Sequence, residues 1–161
     1  MAYSDSVGDN AQLLRRTVTG LTDFSGRSRR TEVIYYWIAS AVAAVVLNFA
    51  VSTVISFETS LLFGDVLQLA LLIPMFALFV RRVHDQNRTG WWGVLLPLTI
   101  LLSIPGRVTE LQGDVQATIA QKTTPVAIIA GLCALAVFVL CLLPGSEGAN
   151  RYGPDPRLDN A

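Results

Sequence analysis

The chain has 161 residues, 12 basic against 12 acidic and a single histidine, so its formal net charge is zero. That length suits one domain, and the balanced charge leaves no global field for gripping nucleic acid. Hydrophobic residues make up 52% and gather in long uninterrupted runs, the pattern of membrane spans rather than of an ordinary soluble core.

The chain opens with a polar arm, residues 1–23, which contains no apolar segment of the kind a cleavable signal needs. Residues 1–10 read as disordered. Leu14, Val18 and Leu21 then recur at i, i+4 and i+7 beside Arg15 and Arg16. That spacing fits a short helix lying on a membrane surface, or equally a solvated arm. Next comes the basic turn FSGRSRRTE, in which Ser28 is the candidate N-cap of the first helix and Glu32 suits the positive end of its dipole.

Four runs follow, and each is read as a membrane helix: about 33–57, 61–80, 91–106 and 125–144. The first holds no charge and exceeds the roughly 20 residues that cross a bilayer; Tyr35, Tyr36 and Trp37 form an aromatic belt at its start. Pro74 is expected to kink the second run. The third is short: its 16 or so residues span only about 24 Å, so it must continue past Gly106 with Arg107 snorkelling, or lie in thinned bilayer. Residues 107–124 read as a polar loop. Cys133 and Cys141 fall in the fourth run, where two cysteines eight apart on a helix cannot form a disulfide. The tail, 146–161, is rich in glycine, proline and asparagine, which predicts turns.

With four spans, both termini and the loop between the second and third runs share a side. That side carries Arg15, Arg16, Arg27, Arg29, Arg30, Arg81, Arg82, Arg88, Arg151 and Arg157, while only Arg107 and Lys122 fall opposite. The asymmetry predicts an all-α, four-span membrane protein with both termini in the cytoplasm.

Three motifs gather on the basic side: FSGRSRR, RRVHDQNRTGWW and PGSEGANRYGPDP. Together they resemble the family of small bacterial inner-membrane proteins catalogued as domain of unknown function 805. The matching residues are Phe24, Gly26, Arg27 and Arg30; Arg81, Arg82, His84, Asp85, Gly90 and Trp91; and Asn150, Tyr152, Gly153, Asp155 and Pro156. The chain departs from the pattern at Val33 and Ile34, where the family usually carries an aromatic pair. The resemblance implies a multi-pass protein of the bacterial inner membrane with this topology, and implies no activity.

The same residues support several chemistries. In the plainest, they form a clasp in which Asp85, Asp155 and Glu32 neutralise arginines while Asn150 and Tyr152 tie the tail to the loop. Alternatively Arg27, Arg30, Arg81, Arg82 and Arg88, with His84, Asp85, Asn150, Tyr152 and Asp155, form a site for an anionic phospholipid headgroup, since arginine forks bind phosphate bidentately. A partner membrane protein or a second copy of the chain could use the same face. An enzyme would employ His84 and Asp85 as base and orienter, yet adjacent residues rarely point the same way and no nucleophile accompanies them. A transporter would draw on Asn48, Ser52, Asp65 and Gln68. One histidine and two membrane-embedded cysteines do not make a zinc site; a magnesium site on Asp85, Asp155 and Glu32 has no further support, and no cofactor is expected.

Overall fold

Five α-helices and one short 3₁₀ segment form in a computed structural model that describes residues 22–122 and 124–157. They are α1 (Arg30–Ser52), α2 (Phe57–Asp85), the 3₁₀ segment (Gly90–Val94), α3 (Leu95–Leu111), α4 (Val115–Lys122) and α5 (Pro125–Leu142). Four stretches are long and apolar enough to cross a membrane: Arg30–Ser52, Thr59–Asp85, Gly90–Leu111 and Pro125–Leu142. The expected surface helix around Leu14 and Val18 lies outside the described residues.

Local chemistry sets the helix ends. Ser56 caps α2 by accepting from the Thr59 N–H, and Thr124 caps α5 by accepting from that of Ala127, with Pro125 in the first turn where its missing N–H costs nothing. Ser28 does not cap α1. The N-cap is Arg29, which contributes no side-chain bond, and Ser28 instead donates its buried hydroxyl to Glu32 at 2.9 Å.

Helix α2 runs on to Asp85, five residues beyond the end of its uncharged run, because its cationic end is favoured by the dipole and a good stop signal waits beyond it. Asn87 adopts φ 56°, and the amides of Asn87 and Arg88 bond back to the carbonyls of His84 and Val83. This is a Schellman stop with asparagine in the left-handed position. Arg81, Arg82, His84 and Asp85 are therefore helical, and the expected loop shrinks to residues 86–89.

The third span is longer than its apolar run, because the 3₁₀ segment precedes it and α3 continues to Leu111. Its 22 residues reach roughly 35 Å, enough for the hydrocarbon core. Arg107 is thus inside the helix, bonded to Asp65 of α2 at 2.9 Å and to Glu110 at 2.8 Å. Beyond it the expected polar loop is largely helical, since α4 occupies Val115–Lys122.

Packing pairs α1 with α2 and α3 with α5. Among the described residues the buried core lies at one end, where Val33 of α1, Leu78, Phe79 and Val83 of α2, and Val137, Leu140 and Cys141 of α5 meet. Elsewhere the helices expose large apolar side chains, Val45 at 70% and Phe49 at 72% among them. A bilayer covers such faces; water would not tolerate them in this number. Tyr36 donates its hydroxyl to the Leu71 carbonyl at 2.7 Å, next to the Ala70 carbonyl that Pro74 deprives of its helical partner. The segment before α1, the turn after α2 and the tail after α5 all meet over the buried core.

Candidate functional site

Asp85 is the hub of this end. It ends α2, is 4% exposed, and its carboxylate takes Arg27 on one oxygen and Arg82 on the other. Arg27 lies before α1, and its Nε donates to Asp85 Oδ1 at 2.9 Å. The rest of its fork reaches the tail, with Nη1 on the Gly148 carbonyl at 2.6 Å and Nη2 on the Ser146 carbonyl at 2.7 Å. Arg82 is placed one turn behind Asp85 on α2, so its head meets the same carboxylate. It also donates to the carbonyls of Cys141 (3.1 Å) and Leu143, which the end of α5 leaves unpaired. Two buried guanidinium groups thus share one carboxylate and take up five backbone carbonyls, those of Ser146, Gly148, Gly153, Cys141 and Leu143. Such an arrangement offsets its desolvation because every guanidinium nitrogen finds an acceptor.

The buried pairing is i, i+3 from Arg82. It replaces the exposed i, i+4 pair of Arg81 with Asp85 that a one-turn extension of α2 suggests. The carbonyl of Arg81 accepts the Ser28 N–H at 3.2 Å, which fixes the entry to α1.

The tail is held by further bonds. Ser146 donates its amide (2.8 Å) and hydroxyl (2.9 Å) to the Asp85 carbonyl, and Asn150 Nδ2 donates to the His84 carbonyl at 3.0 Å. The Tyr152 ring stacks on that of His84 at 3.9 Å and 6°, and the Arg151 guanidinium lies 4.8 Å from the Tyr152 ring centroid. Arg29 donates to the Pro156 carbonyl. Asp155 is buried and pairs within the tail, accepting from Arg157 and from the Gly148 amide. The hydrogen bonds from Arg157 hold its carboxyl well below the usual carboxylate range.

Most of the residues singled out from the sequence converge here: Arg27, Arg82, His84, Asp85, Asn150, Tyr152 and Asp155. Arg88 stands apart, exposed, with its guanidinium 5.7 Å from the Trp92 ring. Glu32 engages Ser28 rather than an arginine. Both carboxylate oxygens of Asp85 are taken by arginines, Arg27 and Arg82, rather than by His84. Among the described residues no group of three or more His, Cys, Asp or Glu side chains is arranged to hold a metal.

Sequence reasoning passed over Arg29, Gly145, Ser146 and Arg157. Together with Arg30, Arg82 and Asp85, the first, second and last of these line a cavity of about 300 Å³ between the start of α1 and the tail. Arg30 is exposed, and its side chain makes no hydrogen bond or ion pair with a described residue; it lies near enough to Arg82 for their like charges to oppose each other. Only tertiary placement distinguishes it from the other arginines of its motif.

Four spans and an arginine-rich end define a polytopic membrane protein. The family model described as "Protein of unknown function (DUF805)" matches residues 21–154, and the chain belongs to that family. It is 28% identical over 135 residues to "Inner membrane protein YhaI" of Escherichia coli (strain K12), a match covering 84% of this chain and 86% of the relative. It is 27% identical over 137 residues to "Uncharacterized protein YiiR" of the same strain, covering 84% and 86%. "Inner membrane protein YhaH" is 23% identical over 146 residues, covering 84% and 88%. No solved structure matches the chain significantly.

Proposed function

We propose that this protein binds the phosphate of an anionic phospholipid headgroup in the cavity between the start of α1 and the tail. The observation that carries the reading is the lining: Arg29, Arg30, Arg82 and Arg157 against Asp85, which Arg27 and Arg82 already occupy, with Asp155 pairing Arg157 from the tail. Arginine forks suit phosphate oxygens, and a basic pocket at the end of a helix bundle lies at headgroup depth. The distribution of arginines puts this end on the cytoplasmic side, where the leaflet is rich in anionic lipid.

The geometry divides the arginines into two groups. Arg27 and Arg82 hold the fold, and their donors are taken. Arg30, which has no partner among the described residues, offers charge to a ligand, while Arg29 already donates to the Pro156 carbonyl and Arg157 is paired with Asp155. The reading is therefore centred on Arg30, with Arg29 and Arg157 beside it, rather than on Arg27, Arg81, His84 and Arg88.

Native mass spectrometry of protein released from phosphatidylglycerol-containing membranes tests this. The parent is expected to retain phosphatidylglycerol, and each of Arg30→Gln and Arg157→Gln to lower retention about fivefold, the effect of roughly 1 kcal/mol per surface-facing basic residue. Undiminished retention in the double variant would remove the cavity from consideration.

A further inference from the structure

The cavity is a joint between two segments. One wall is the start of α1, with Arg29, Arg30 and Thr31; the other is the tail, with Pro144, Gly145, Pro156 and Arg157. Nothing covalent holds these walls together, since residues 31 and 144 are separated by the whole bundle. What joins them is a set of polar bonds: Arg27 to the carbonyls of Ser146 and Gly148, Arg29 to that of Pro156, and Ser146 to that of Asp85.

From this we infer that the tail is a ligand-linked latch: the phosphate site of the proposed function exists only while the tail is docked, and occupancy of the site holds the tail down. The inference rests on the headgroup reading and adds its regulation. A phosphate held between Arg30 of one wall and Arg157 of the other interacts with the docked state in a way the undocked state cannot offer. Differential affinity of that kind is what shifts an equilibrium. By linkage the effect runs both ways: lipid docks the tail, and anything that pulls the tail away releases lipid. If the undocked state has no site, ligand at a hundred times its dissociation constant raises the docked-to-undocked ratio about a hundredfold. The tail is docked both through its backbone carbonyls at Ser146, Gly148 and Pro156 and through the side chains of Ser146, Asn150 and Tyr152.

The same chemistry is offered by a lipid headgroup and by a free phosphate ester, and both belong in the test. The protein is placed in phosphatidylcholine nanodiscs, alone, with added phosphatidylglycerol in the bilayer, or with soluble glycerol phosphate in the buffer. Amide hydrogen exchange is followed at Ser146, Gly148, Asn150 and Gly153, and lipid retention is measured on the same samples. Phosphatidylglycerol is expected to slow exchange at these amides by up to about a hundredfold, and Arg30→Gln to cut that slowing about fivefold. Slowing by glycerol phosphate alone would support the latch and assign its ligand to the aqueous phase. Retention of phosphatidylglycerol with unchanged tail exchange overturns the latch and leaves the headgroup site standing. Absence of retention in the parent overturns the headgroup reading, and slowing that is undiminished in Arg30→Gln overturns the placement of the ligand in this cavity.

Discussion

Gly145 lies directly against Asp85: a Cβ built on its backbone would fall 1.9 Å from the Asp85 Oδ2 oxygen. The glycine is there because the tail must cross the carboxylate closely enough for Ser146 to bond the Asp85 carbonyl. Gly145→Ala therefore has to push the carboxylate from Arg82 or lift the tail. We expect a loss of about 1–3 kcal/mol, the usual cost of overpacking a tight site. Thermal unfolding in detergent measures it, and a melting temperature equal to the parent's would contradict this packing.

Asp85→Asn is expected to be more damaging, because it leaves the buried Arg27 and Arg82 without a counter-charge. Removing one member of a buried ion pair costs on the order of 3–5 kcal/mol. The cause is separable from simple loss of contacts. In an Asp85→Asn background, Arg27→Met should cost less than it does in the parent, since it takes away a charge that has lost its partner. Full additivity of the two changes would refute the shared-carboxylate account.

The tail should resist acid further than an ordinary aspartate allows. Arg157 and the Gly148 amide lower the pKa of Asp155 in the folded protein, so its contribution is present above its unfolded value of about 4 and is lost as pH falls below that, toward the folded value. The Gly148 amide resonance, whose N–H is bonded to Asp155 Oδ2 at 3.1 Å, should hold steady from pH 7 to about pH 4 and move only in stronger acid. A midpoint at or above about pH 4 would show that the carboxylate is not held as described.

Topology can be checked in intact cells. Cysteines placed at Ser4 and Asn160 should be shielded from a membrane-impermeant thiol reagent, while one at Gln112, between α3 and α4, should react. Labelling at either terminus would reverse the orientation that the arginines imply.

Several features were legible in the sequence because they depend on composition summed over a stretch. The existence of four spans follows from uncharged runs of sufficient length, and the basic end follows from counting arginines about those runs. Length left the third span two options, extension past Gly106 or a thinned bilayer, and the structure takes the first, with Arg107 held between Asp65 and Glu110.

The partners within the basic end were decided by tertiary structure. Asn87 lets α2 continue through Asp85 before it turns, and that single turn makes Arg82, rather than Arg81, the neighbour of the carboxylate. Ser28 looks like a cap in isolation, but it is drawn inward when its amide bonds the Arg81 carbonyl, and its hydroxyl goes to Glu32. The roles of Arg27 and Arg30, three residues apart in one motif, diverge for the same reason. Arg27 is buried against Asp85 by a tail that begins more than a hundred residues later, and Arg30 is left facing a cavity whose far wall is that tail. Charge and hydrophobic length are properties of a segment and can be read along the chain; the pairing of one guanidinium with one carboxylate depends on segments that meet only after the helices have packed.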